Sequence, residues 1–477
     1  MSPGPRSRLD VLRANGRPRL MDYVGAEQDR IVATLFEWLR VPSISADPAH
    51  APDVRRCAEL TASLMSDAGL EHVELIETPG APAVYGDWLH AGARAPTALV
   101  YGHHDVQPVD PLSLWQTPPF DPEIRGGECF ARGAIDDKGQ VLYEIEAVRG
   151  LLRGEGSLPM NARFLVEGEE EVGSPHFEEL LRADRDRLSC DVVVVSDTGM
   201  VSPDVPSTTV GMRGLVAFTV RLRSARADLH SGMFGGAVPN AALVAARLAG
   251  ALTDTDGRVT LAGFYDDVRP LGPVEAASLA AVPFDERAWM ESAGVTTLTG
   301  ERGHTVLEQV GTRPTAEVVG ITSGYGGAGM KTIVPATAEV KIAFRLVPDQ
   351  HPDPVAGMFG RWVDGHVPPG VTYEIEREGG VSPALTPTDH PAVGALSRVI
   401  ERIWGTAPLY TREGGSGPEE ALGRVLGAPV LFLGVGLPDD RIHAPNERMV
   451  MDQFWLGLLA AGELWHELAA AATGEAT

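Results

Sequence analysis

Three cysteines in 477 residues are too few and too irregularly placed for a disulfide framework. Cys57, Cys129 and Cys190 form no CxxC pair, so no CxxC zinc site is implied either, and buried structural thiols are expected. Positive charge is scarce. Lys and Arg number 40 against 65 Asp and Glu, a formal net charge of -25, which argues against nucleic acid or an anionic membrane as a partner. No apolar run approaches the roughly 20 residues that span a bilayer. The opening MSPGPRSRLDVLRANGRPRL is basic but lacks the apolar centre of a secretory signal, so a cytoplasmic enzyme is expected, with its first twenty residues frayed. Internal repeats and low-complexity tracts are also missing.

What is present is a long, ordinary globular composition. At 50.7 kDa and 44% hydrophobic residues, the chain can build more than one core. Ile31, Leu35, Trp38 and Leu39 recur at helical spacing, as do Val54, Cys57, Leu64, Met65 and Ala68. Strand-like and helical runs then alternate: TALVYG, KGQVLYEIEAVRGLL, ARFLVEG, an acidic helix, DVVVVSD. That order predicts an α/β domain with a central, mostly parallel sheet flanked by helices. From Gly211 the pattern changes to the period-two alternation of antiparallel strands, LVAFTVRLRSA and ATAEVKIAFRLVP, around a helix at NAALVAARLAGAL. The α/β pattern resumes with HPAVGALSRVIERIW, PVLFLGVG and a helix from Met451. An inserted α+β domain at 211–384, inside a discontinuous domain at 1–210 and 385–477, accounts for this most simply.

One motif misleads. GYGGAG matches GxGxxG at Gly324, Gly326 and Gly329, but a phosphate loop needs a helix to open after its glycines. TIVP follows instead, β-branched and closed by Pro335, so a loop lying near a ligand or another backbone is expected.

The informative residues are polar groups set around apolar runs. YGHHDVQP places His103 and Asp105 two apart, on one side of an extended segment. RGAIDDKG supplies Asp136 and Asp137, VEGEEEVGS supplies Glu169, Glu170 and Glu171, VVVVSD ends in Asp197, and DDRIHAPNE supplies His443. Taken singly, each reads as a solvated turn. Taken together, at strand termini, they would meet in the crevice at the carboxyl ends of the strands. Converging carboxylates repel unless cations lie among them. Two histidines with several carboxylates suit two divalent ions, zinc or manganese with cobalt as a further option, one carboxylate bridging them at about 3.5–4 Å.

In these motifs, with LHSGMFGG, KTIVP, FRLVP and TREGGSGP in the same order, the sequence resembles the di-metal peptidases and deacylases of the carnosinase, cytosolic non-specific dipeptidase and glutamate carboxypeptidase superfamily. The resemblance runs from about residue 22 to the C-terminus; LHSG, RLVP and TREGGS point to the carnosinase-like branch. It implies a hydrolase-like catalytic domain of the di-zinc peptidase type with a lid and dimerisation domain inserted.

It also implies roles. His103 and Asp197 would bind one metal, His443 and Glu171 the other, and Asp136 would bridge them, with a cis bond between Asp136 and Asp137. Asp105 would orient His103. The residues alone do not say which of three adjacent glutamates ligates; the resemblance selects Glu170 as general base and Glu171 as ligand, and leaves Glu169 as an exposed acid. His230, from the lid of a partner subunit, would stabilise the tetrahedral oxyanion, which implies a homodimer. Arg345 would clamp the substrate's C-terminal carboxylate, with Arg412, Gly415 and Ser416 completing that wall. His390 is left unassigned. The activity implied is metal-dependent hydrolysis of dipeptides or short peptides by a water that a glutamate activates. An N-acyl-amino-acid deacylase would use the same machinery, and a non-catalytic metal-binding homologue would have lost a ligand or the base. Two departures from the family pattern, His104 and Ala444-Pro445, fall beside ligands.

Overall fold

A computed structural model describes residues 18–473. The described chain divides into two compact units: residues 18–210, 386–411 and 417–473 form the first, and residues 211–385 with 412–416 form the second. The excursion of 412–416 into the second unit was not anticipated.

The first unit carries a six-stranded sheet, ordered Glu71–Ile76, Ala83–Trp88, Asn161–Glu167, Thr97–His103, Val192–Val195 and Val430–Phe432. The first two pairings are antiparallel and the remaining three parallel. The inner strands are buried on both faces, which is why they read as continuous apolar runs rather than alternations. Helix Lys138–Glu155 is buried almost all round for the same reason, lying between helices Pro18–Leu39 and Met451–Thr473. The expected fraying of residues 18–20 does not occur. Leu20, Met21, Tyr23 and Val24 are buried on the first of these helices, so the apolar face starts earlier than the basic run suggests; the preceding residues lie outside the described ones.

The second unit is a four-stranded antiparallel sheet, ordered Thr315–Ser323, Thr337–Leu346, Gly214–Arg223 and Thr372–Val381. One face packs on helices Ala241–Ala251 and Pro352–His366. Val216, Phe218, Val220 and Leu222 alternate into that core beside Val340, Ile342 and Phe344, as period-two patterning requires. Phe218 stacks on Phe359 at 4.6 Å between ring centroids, and truncating such a ring costs about 3–5 kcal/mol. Cys57 and Cys129 are buried as expected; Cys190, in the turn before the Val192 strand, is only partly so.

Candidate metal centre

The parallel register sets the site. His103 pairs with Glu167, and Tyr101 with Val195, so strands Asn161–Glu167, Thr97–His103 and Val192–Val195 end at one edge of the sheet. Glu170, Glu171 and Asp197 leave from that edge within a few residues of their strands. Asp136 and His443 do not. Asp136 lies in the turns before helix Lys138–Glu155, and His443 in the long connection between strands Val430–Phe432 and Arg448–Val450, in a left-handed conformation at φ 59°. The expectation that all ligands stand at strand termini is corrected for these two, whose loops fold back over the sheet edge. Gly102 allows this approach: a Cβ there would stand 2.6 Å from Asp137 Oδ2 and 2.4 Å from a Val141 methyl. The Asp136–Asp137 peptide bond is cis.

Two clusters result, His103–Glu170–Asp197 and Asp136–Glu171–His443, each with ligand atoms within 4.8 Å of one another. His103 Nε2 lies 3.1 Å from Asp136 Oδ1 and 3.4 Å from Asp197 Oδ2. His443 Nε2 lies 2.9 Å from Asp136 Oδ2 and 3.2 Å from Glu171 Oε2. The two oxygens of Asp136 therefore face different histidines. On its other side, His103 Nδ1 donates to the Asp105 carbonyl at 3.1 Å and stands 3.3 Å from Asp105 Oδ1, so Nε2 is the ring nitrogen that faces the cluster. The backbone N–H of Glu171 donates to Asp105 Oδ2 at 3.1 Å, so Asp105 ties the two clusters together.

The crowding of these groups perturbs their protonation. Burial pushes Glu170 up to about 10; His103 opposes this, and the repulsion of Asp197, Glu171 and Asp136 adds to it. Glu171 rises to about 7 through burial and repulsion by Asp136. His443 rises to about 10 because Asp136 and Glu171 hydrogen-bond its protonated form. Asp136, despite its burial, is held below the usual carboxylate range by both histidines. Four carboxylates and two imidazoles at such distances are a donor set that divalent cations satisfy better than protons do, and the N/O chemistry fits zinc, manganese or cobalt.

Several residues stand elsewhere than the sequence suggests. Glu169 is buried, not exposed: its carboxylate accepts from His176 Nδ1 at 2.9 Å and Thr78 Oγ1 at 3.3 Å, because the turn at Glu170–Val172 folds it back. His104 points to the opposite side of the strand, where Nε2 donates to the Pro82 carbonyl at 3.0 Å. Ala444 simply continues a turn, its N–H donating to Arg441 O at 3.0 Å. His390 caps helix Pro391–Trp404 by accepting from Ala392 N. Gln107, in the YGHHDVQP motif but without an expected role, donates from its backbone and its amide to the Glu171 carboxylate at 3.1 and 2.8 Å. Arg132 and Glu447 were likewise missed; both lie inside quoted motifs, but only their burial distinguishes them from surface charges.

The second unit holds the remaining candidates. His230, exposed, begins the turn Ser231–Phe234, where its Nδ1 accepts from Gly232 N at 3.1 Å and leaves Nε2 free of that cap. Arg345 Nη1 donates to Ser416 Oγ at 2.8 Å, and Ser416 donates to Arg213 O at 2.5 Å. Arg412 is engaged by Glu275 through two bonds of 2.9 Å, and the amides of Gly414 and Gly415 meet Glu413 Oε1 at 2.9 and 3.3 Å. Internal carboxylates thus occupy two of the groups expected to face a substrate. The GYGGAG loop is exposed.

With this geometry in place, comparison with known proteins is informative. A family model described as peptidase family M20/M25/M40 matches residues 99–467. The chain is 30% identical to human Beta-Ala-His dipeptidase over 452 residues, covering 90% of this chain and 88% of that protein. It is 30% identical to a Cys-Gly metallodipeptidase of Schizosaccharomyces pombe, covering 94% and 98%. Among solved structures, an M20 family metallo-carboxypeptidase from Sulfolobus solfataricus superposes with a TM-score of 0.81 at 31% identity, covering 92% of this chain and 99% of that one. Human carnosine dipeptidase 1 gives 0.75 at 27%, covering 98% and 100%.

Proposed function

Because the chain belongs to peptidase family M20/M25/M40, we propose that it is a metal-dependent dipeptidase, hydrolysing dipeptides and short peptides with a free C-terminal carboxylate. The observation that carries this reading is the Asp136 carboxylate, whose two oxygens face His103 and His443 separately. His103 with Asp197, and His443 with Glu171, would hold two divalent cations, with Asp136 shared between the two sets. Zinc, manganese or cobalt, when bound, supplies Lewis acidity toward the scissile carbonyl and makes water more acidic. Asp105 keeps the His103 proton on Nδ1. Glu170 takes the proton of the attacking water and passes it to the leaving nitrogen.

Arg345, steadied by Ser416, recognises the substrate carboxylate, and Gly415 and Arg412 shape that wall, Arg412 through its pair with Glu275. His230 of a second copy stabilises the oxyanion. A homodimer built on the second unit is supported by its exposed apolar side chains, among them Met233, Val319, Ile321 and Met330. Three free thiols suit a reducing, cytoplasmic compartment; among the described residues no helix is long and apolar enough to cross a membrane.

The test is to strip the protein, restore zinc, manganese or cobalt, and assay dipeptides beside N-acyl amino acids. Two cations per chain with dipeptide cleavage is the expected result. Deacylation alone would replace the substrate class, and hydrolysis independent of metal would refute the proposal.

A further inference from the structure

Glu447 is fully buried, and its carboxylate accepts four hydrogen bonds. Oε2 accepts from Arg132 Nη1 at 2.6 Å and Gly133 N at 3.1 Å; Oε1 accepts from Ile135 N at 3.0 Å and Asp136 N at 3.2 Å. Its carbonyl accepts a fifth, from Ala131 N at 3.2 Å. The turn that ends in Asp136 is therefore wrapped around one side chain, and that side chain belongs to the loop carrying His443. Arg132 extends the connection: Nη2 donates to Pro108 O at 3.0 Å, next to Gln107, which holds the Glu171 carboxylate. Asn446 fastens the same loop from the other side, accepting from Gln116 N at 2.7 Å and donating to Leu114 O at 2.8 Å.

We infer that Glu447 is a positioning residue that, with Arg132, fixes Asp136 relative to His443 and so sets the affinity of the site for its pair of divalent cations. This rests on reading the six clustered residues as a metal centre. The physical reason is that every partner of this carboxylate is a donor. Backbone N–H groups and a guanidinium have no acceptor form, so only a group with lone pairs on both oxygens satisfies all four. A glutamine has the same shape but turns one acceptor into a donor. Whichever way it sits, an N–H then faces N–H groups in a buried site, and the Arg132 charge loses its counter-charge. The relief available is movement of the 132–136 turn, which displaces the Asp136 oxygens from one or both histidines.

Glu447→Gln is compared with the unaltered protein, both freed of metal and shown folded by near-ultraviolet circular dichroism. Each is titrated with Zn²⁺ against a chromophoric chelator, and kcat and KM are measured on a dipeptide after loading. The expected result is about 10- to 100-fold weaker binding of at least one of the two ions, with kcat falling and KM little changed. A purely structural role would instead lower the melting temperature and leave the affinity of the folded protein alone. Arg132→Lys is the second variant, for use if the glutamine variant does not fold: it keeps the charge beside Glu447 but loses the reach to Pro108, and should weaken binding in the same direction. Zn²⁺ affinity within about twofold of the unaltered protein, in a folded variant, overturns the inference while the metal centre stands. If the unaltered protein itself binds no Zn²⁺, the metal-centre reading fails and this inference falls with it.

Discussion

Replacing Glu170 by Gln separates two roles that the geometry brings close together. Its carboxylate clusters with His103 and Asp197, so it is placed either to ligate or to move protons. Among the described residues no side chain hydrogen-bonds it, unlike Glu171, which Gln107 holds in place. Without cations it is pushed up to about 10, first by burial, so it stays protonated at neutral pH. It can serve as a base only once cations have replaced the surrounding protons, which makes its activity metal-dependent by construction. The amide substitution keeps size and shape and removes the proton acceptor. Loss of a general base costs about 10²- to 10⁴-fold in kcat, or roughly 2.7–5.4 kcal/mol at 1.36 kcal/mol per decade. Stability should not suffer, because Glu170 is already uncharged at neutral pH without cations and the amide replaces it with a neutral group of the same size. The assay is steady-state dipeptide hydrolysis on protein whose metal content is measured in the same sample. Full metal with turnover reduced at least about a hundredfold is expected. Turnover within about threefold of the unaltered protein refutes the base, and loss of one cation assigns Glu170 as a ligand instead.

Arg345→Met should cut kcat/KM for free-carboxylate dipeptides by about 10- to 100-fold and leave C-terminally amidated analogues nearly unaffected, a charge-assisted contact being worth about 1.5–3 kcal/mol; equal losses on both would dismiss the clamp. His230→Ala should lower kcat while metal content holds, and mixing it with the Glu170→Gln variant under subunit exchange should restore part of the activity. Heterodimers with no recovery would show that the site is not shared. Metal loading should expel protons at neutral pH, because His443 is raised to about 10 and Glu171 to about 7 in the metal-free protein, whereas both ligate deprotonated. Affinity must then fall as pH drops. Calorimetric titrations in two buffers of different ionisation enthalpy measure the release, and identical heats would contradict it.

Glu169 and Glu447 show where reading the chain stops being enough. The first is left as an exposed acid once the resemblance gives roles to Glu170 and Glu171, yet a one-turn helix folds it inward onto His176 and Thr78. The second closes a motif in which His443 draws attention, and nothing local distinguishes a buried anchor from a solvated glutamate. Arg412 and Gly415 carry the right chemistry for a carboxylate wall, but Glu275 and Glu413, the latter in the same motif, occupy them. Pairings such as Arg412 with Glu275 join residues far apart in sequence, and no periodicity encodes them.

The sequence by itself determined the alternation of elements, because burial on one face or two leaves a period in the apolar residues, and it determined which residue types were available to hold cations. Only the tertiary structure decided which carboxylates converge. Parallel register aligned the ends of three strands, and two loops from distant parts of the chain were drawn over that edge by a single buried glutamate, so that Asp136 came to face two histidines 340 positions apart, His103 and His443.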